Sequence, residues 1–167
     1  TGLLAEKLSF SISDDLALGV DGVTWVYGAG VWIRDDDEIE RRTIRALGDR
    51  YRPSLATVAR SVITKGGSLA TLPPMPSPQF VNLTNGMYDW RAGEILPHDP
   101  SYQSTVQLSI AYEATAECPT FDAWLEVLFD AETIPLIWEV IGYLFMTGNP
   151  LHRAVLLVGK GRNGKGT

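Results

Sequence analysis

An apolar run, Ala154-Val155-Leu156-Leu157-Val158, leads directly into Gly159-Lys160-Gly161-Arg162-Asn163-Gly164-Lys165-Gly166-Thr167. The spacing of that ending is G-x-x-x-x-G-K. A buried strand, a glycine-rich turn and a lysine, in that order, open a P-loop nucleotide site, which belongs to an α/β layer. Backbone N–H groups of such a loop wrap a β-phosphate, and the Lys165 ammonium is placed to bridge β- and γ-phosphates. The residue after the lysine is Gly166, where most such loops put a Ser or Thr hydroxyl on magnesium. Thr167 follows one place later, so either Thr167 takes a shifted role or the metal depends on downstream groups. The chain stops where the loop's helix should begin, and it starts with Thr1, not Met. Both ends therefore read as cuts in a longer, nucleotide-driven protein, with no complete catalytic set in this chain and no ATP hydrolysis expected from it alone.

Before that ending the chain is long enough for one domain or two small ones. Hydrophobic residues make up 45% of it and five are Trp, which excludes a disordered chain. Cys118 is the only cysteine. It can form no intrachain disulfide, fits a reducing, cytoplasmic setting, and beside Pro119 reads as a small core residue, not a nucleophile. No apolar stretch is long enough to span a bilayer, since the best, from Ile134 to Met146, is broken by Pro135 and Glu139. No signal peptide is visible.

The net charge of −6 argues against indiscriminate nucleic-acid binding, but the charge is unevenly spread. Arg41, Arg42, Arg45, Arg50, Arg52, Arg60 and Lys65 crowd a segment whose only acid is Asp49. From Gly66 to His152 the sole cation is Arg91, against ten carboxylates. The basic stretch reads either as a DNA-facing surface or as a solvated helix face paired with Asp35, Asp36, Asp37, Glu38 and Glu40.

Local patterns give an α+β chain of β-meander and hairpins with packed helices. Leu3 to Leu8 suggests a short opening helix. Leu16–Val20, Val23–Tyr27 and Val31–Arg34 alternate as three strands, with Asp21-Gly22 favouring a type I′ turn and Gly28-Ala29-Gly30 the next one. Trp25, Tyr27 and Trp32 fall together as core aromatics. Asp35 with Glu38, or Asp37 with Glu40, has capping-box spacing for a helix running to about Arg50, with Ile39, Thr43, Ala46 and Leu47 inward. Pro53 opens a second helix whose stripe reads Leu55, Val58, Ala59 and Val62 and which Gly66-Gly67 ends.

Four prolines between Leu72 and Pro78 make a stiff connector, so residues 1–72 and 79–150 read as two parts, with 73–78 between them and 151–167 as the start of the ATPase. In the second part Phe80–Leu83, Gly86–Trp90, Glu94–Leu96 and Val106–Tyr112 read as strands. Pro97-His98-Asp99-Pro100 reads as a turn rather than a catalytic His–Asp pair, because adjacent side chains cannot easily orient each other. Two helices follow. Phe121, Trp124, Leu125, Leu128 and Phe129 form the stripe of the first, capped by Thr120; Ile134, Ile137, Trp138, Ile141, Leu144 and Phe145 form that of the second. This pair is expected to be the most stable part of the chain.

Strung together, Asn85-Gly86-Met87-Tyr88-Asp89, Leu96-Pro97-His98-Asp99-Pro100, Cys118-Pro119-Thr120-Phe121, Gly142-Tyr143-Leu144 and the terminal loop resemble the phage and plasmid primase–helicases, related to the poxvirus primase–helicase. The resemblance runs from about Trp25 to Thr167 and is strongest from Asn85. In that family a distinctive N-terminal domain precedes a superfamily three helicase. It implies an ATP- and Mg2+-dependent DNA helicase acting in replication of a mobile element within a bacterial host cell, working as a homo-oligomeric, hexameric ring on single-stranded or forked DNA, with no membrane partner. Gly159, Gly161, Asn163, Gly164, Lys165, Gly166 and Thr167 would then line the ATP phosphates, with no ATP or Mg2+ expected on this stretch alone. Arg41, Arg42 and Arg45 are the candidate DNA contacts. Two other classes stay open: a non-catalytic oligomerisation module, and a nucleotide kinase, whose loop the Gly-Lys-Gly-Thr ending also resembles but which places it at the chain's start.

Overall fold

The computed structural model describes residues 15–67 and 69–158. The expected Leu3–Leu8 helix and the glycine loop from Gly159 to Thr167 lie outside the described residues.

Four strands make the first sheet: β1 (Leu16–Gly19), β2 (Thr24–Gly28), β3 (Val31–Arg34) and β4 (Ala70–Leu72), in the order β3-β2-β1-β4. The meander is antiparallel, and β4 returns to pair parallel with β1. Two helices, α1 (Glu38–Leu47) and α2 (Pro53–Lys65), form the crossover between β3 and β4. Alternation along the strands sorts side chains to two faces. Leu16 packs with Ile39 and Ile63 from the helices, flanked by Val26 and Leu69. On the opposite face Ala17, Trp32 and Leu72 pack with Trp25 and Tyr27, as the strand period predicts. The Tyr27 and Trp32 rings lie 5.3 Å apart. Each fully buried aliphatic here contributes about 1.5–3 kcal/mol.

The turns differ from expectation in an instructive way. Asp21-Gly22 does not form a two-residue type I′ turn. The register Leu18 opposite Thr24 leaves a longer loop, closed by Gly19 N–H to Val23 O (2.8 Å) and Gly22 N–H to Gly19 O (2.9 Å). Asp21 Oδ1 accepts from the Val23 N–H at 3.1 Å, which favours the wider loop, and Gly22 takes the left-handed conformation that ends it. Positive φ at two successive residues, the requirement of type I′, occurs instead at Ala29 (51°) and Gly30 (85°) between β2 and β3. The capping box is also absent. Asp37 is the N-cap of α1 but makes no side-chain cap, while Asp35 Oδ1 accepts from the Asp37 N–H at 3.2 Å. Glu38 is drawn away to arginines of its own helix.

The predicted stripe of α2 is rotated. Val58 and Val62 are exposed, and Ala56, Ala59 and Ile63 are buried. Two alanines on the inner face let the helix approach closely, and one large side chain, Ile63, fills the core.

A second sheet, β5 (Phe80–Leu83), β6 (Gly86–Asp89) and β7 (Glu94–Leu96), is an antiparallel meander. No strand forms over Val106–Tyr112. That segment runs beside β5 with only two backbone bonds, Leu108 N–H to Asn82 O and Thr84 N–H to Ile110 O, both 2.9 Å. Just before the segment, Ser104 O accepts from the Trp32 N–H of the first sheet at 2.8 Å. Further bonds join the sheets: Trp32 Nε1–H to Pro100 O (3.1 Å), Asn82 Nδ2–H to Gly30 O (2.8 Å) and Gln107 Nε2–H to Ala29 O (3.0 Å).

Then come α3 (Pro119–Leu128) and α4 (Thr133–Leu144). Pro119 sits in the first turn of α3, but its N-cap is Cys118, not Thr120, and Cys118 is exposed rather than in the core. Of the α3 stripe only Leu125 is buried. Phe121 touches Trp138 of α4 edge-on at 5.4 Å. None of the α4 residues is buried, so its stripe does not form a core here. The run Ala154–Val158 joins no sheet and is exposed throughout. A strand of this apolar kind needs neighbours on both sides, and the described residues offer none.

Candidate nucleic-acid interface

The arginines of α1 divide into two groups by position along the helix. In the first two turns the acids that open the helix hold them. Arg42 Nε donates to Glu38 Oε1 at 2.7 Å, and its guanidinium forks onto the two oxygens of Asp15, just before β1, one of them at 2.9 Å. Asp15 comes from far away in sequence, so only the fold reveals this pair. Arg41 Nε and Nη2 donate to Glu38 Oε2 at 3.0 and 2.8 Å, and Nη2 also meets Asp35. Hydrogen bonds donated to Asp15 raise the Arg42 pKa, and those donated to Asp35, then Glu38, raise that of Arg41. Partial burial would raise the Glu38 carboxyl, but hydrogen bonds from Arg42 and Arg41 outweigh it and hold it below its ordinary value.

The second group lies where α1 ends. Arg45 is in the last turn, Arg50 closes a 3-10 turn (Gly48–Arg50), and Arg52 is the N-cap of α2. All three are exposed. Among the described residues Arg45 and Arg50 meet no carboxylate, and Arg52 donates only to the backbone oxygens of Tyr51 (2.7 Å) and Asp49 (3.4 Å). The Tyr51 hydroxyl donates to Glu40 Oε1 at 2.6 Å, occupying the other nearby acid, and that bond raises the Tyr51 pKa. Further along α2, Arg60 donates to Asp36 O, just before α1, at 3.0 Å.

His98 has no catalytic partner arrangement. Its Nε2 lies 2.8 Å from Leu83 O and 3.1 Å from Asn82 Oδ1, both acceptors, so that nitrogen carries the proton. Its ring closes over Gly30, where an added Cβ would come within 2.5 Å. Asp99 instead caps the following turn, accepting from the Ser101 N–H at 2.8 Å. His98 and Asp99 are structural, as their adjacency suggests.

Sequence reading gave no sign of an apolar groove of about 540 Å³ between the second sheet and the end of α4. Tyr88, Trp90, Tyr112, Tyr143, Phe145 and Met146 line it, with Tyr88 and Tyr112 stacked at 4.7 Å. Its walls come from segments far apart in sequence, and no local period marks them. Among the described residues no group of His, Cys, Asp and Glu could hold a metal ion, and no helix is long and apolar enough to cross a membrane.

Among the described residues, two small sheets and four helices make a mixed α+β fold. Residues 11–130 match the family described as D5 N terminal like, and the chain belongs to it. This family forms the N-terminal domain of primase–helicase-like proteins. The match spans both sheets and all of α3. No curated protein matches the chain.

Proposed function

We propose that this chain is the accessory N-terminal domain of an ATP-dependent replicative DNA helicase or primase–helicase of a phage or other mobile element, together with the opening of its ATP site. The observation that carries the reading is one of order: the family match ends at residue 130, and after one further helix the sequence runs into G-x-x-x-x-G-K. In the intact protein Gly159, Gly161, Asn163, Gly164, Lys165, Gly166 and Thr167 would cradle the ATP phosphates, with Mg2+ held chiefly by groups elsewhere. The domain would position single-stranded or forked DNA, with the arginine-bearing end of its helical layer facing the strand, inside a homo-oligomeric ring in the cytoplasm of a bacterial host.

The test is ATP turnover by the intact gene product. Lys165→Ala is expected to abolish it, while the isolated 167-residue chain turns over no ATP. Undiminished hydrolysis by Lys165→Ala would overturn the assignment.

The exposed apolar side chains of Val127, Leu136, Leu144 and Phe145 favour a second reading, a non-catalytic subunit-contact module. Sedimentation of the chain beside a DNA titration separates the two: assembly without DNA affinity supports the second.

A further inference from the structure

The geometry points to the turn joining α1 to α2, carrying Arg45, Arg50 and Arg52, as the surface that grips a phosphodiester backbone, and not to Arg41 and Arg42 on the same helix. The inference rests on the reading above that this domain meets DNA, and it specifies where.

Three observations support it. The first is availability. A guanidinium already forked onto carboxylates gains little from a phosphate, because it must give up one charge-assisted pair to make another. Arg41 and Arg42 are in that state, held by Asp35, Glu38 and Asp15. Arg45, Arg50 and Arg52 are exposed and, among the described residues, have no carboxylate partner. The second is local charge. The stretch from Arg45 to Arg52 contains three arginines and one acid, Asp49, and the nearest other acid, Glu40, is taken by Tyr51. All three cations are arginines, whose planar fork suits phosphate oxygens. The third is the end of α2 that faces them. Pro53 opens that helix, no acid lies in its first turn, and its N-cap side chain makes no capping bond to the helix's first N–H groups. The positive end of the helix dipole therefore adds to the field of the arginines instead of being neutralised.

The acidic stretch of a second copy of this chain is the competing partner, and the structure favours it less. Asp89, Asp99 and Asp130 cap their own turns, and the remaining acids are distributed over separate elements.

The experiment uses the intact protein and an oligo(dT) single strand, with binding followed across a salt titration. Two sets of substitutions are compared: Arg45→Gln, Arg50→Gln and Arg52→Gln together, and Arg41→Gln with Arg42→Gln. The first set is expected to lower affinity about tenfold or more and to flatten the slope of log K against log salt by roughly 2, since each phosphate contact to a single strand contributes about 0.7. The second set should leave the slope unchanged in protein that melts as a folded domain. If the slope falls only with Arg41 and Arg42, or with neither set while the wild type binds, the assignment of the turn is wrong although the DNA reading stands. If the wild type shows no salt-dependent DNA affinity, the DNA reading itself fails. If the triple substitution changes sedimentation and not DNA affinity, the turn is a subunit contact and the inference is overturned.

Discussion

The helix pair α1–α2 and the helix pair α3–α4 carry equally clear apolar patterns, yet only the first is buried. The α1–α2 pair lies on a sheet whose own alternation offers Leu16 and Val26, and Ile39 and Ile63 close that core. The α3–α4 pair buries Leu125 and little else, leaving Val127, Leu136, Trp138, Leu144 and Phe145 open to solvent. An amphipathic stripe states that a helix needs a partner; it does not state that the partner is present. The difference separates a self-sufficient layer from one whose apolar surface is available to something else.

Core truncation is the strongest way to break that contrast. Ile63→Ala removes a side chain with 0% exposure and should cost about 2–5 kcal/mol, read as a drop in the urea midpoint. Leu144→Ala, at 73% exposure, should leave the midpoint nearly unchanged. Equal losses would mean that α4 is as well packed as α2. Next in size is the seam between the sheets. Gly30 has φ 85° and its Cβ position is occupied by the His98 ring. Gly30→Ala combines left-handed strain of about 1–2 kcal/mol with displacement of His98, and should lower the melting temperature of both sheets in one transition. Two separate transitions would show that the seam does not couple them.

Acid should loosen the first layer through Glu38. Its folded pKa is depressed below the ordinary 4.5, so it contributes stability that is present above that pH and lost as pH falls through the folded value. Glu38→Gln should therefore melt lower than wild type at neutral pH, with the gap closing in acid. A gap that stays constant with pH would mean that its bonds to Arg41 and Arg42 carry no net stabilisation.

The division of labour between sequence and fold follows the range of the interactions. Meander, helices and the shared face of Trp25, Tyr27 and Trp32 come from periods of two and of 3.6, which are local, so they were legible. In α2, Ala59 faces inward as its stripe predicts, but Val58 and Val62 give way to Ala56 and Ile63 on the inner side, and packing room, not hydropathy, decides between them. The arginine surface was half legible. Its charges stand in the sequence, but Asp15, which occupies Arg42, comes from just before β1, 27 residues away, and no spacing rule couples the two. Val106–Tyr112 alternates like a strand, but its backbone makes only two bonds beside β5, and alternation says nothing about which partner a backbone will find.

The finest probe of the well-packed layer is Thr24. It is 0% exposed on β2, and its hydroxyl has no hydrogen-bond partner among the described residues. A buried hydroxyl without a partner carries its desolvation penalty unreturned, about 1–3 kcal/mol. Valine has nearly the same shape and no polar atom, and its β-branch suits a strand. Thr24→Val should therefore raise stability by about 1 kcal/mol, visible as a higher urea midpoint at unchanged slope. The same exchange at Thr64, which is less buried and donates to Arg60 O at 2.8 Å, removes a bond and should gain nothing. If Thr24→Val is destabilising instead, the hydroxyl has a partner in the folded protein, and the closest-packed part of the molecule contains a polar contact rather than a purely apolar core.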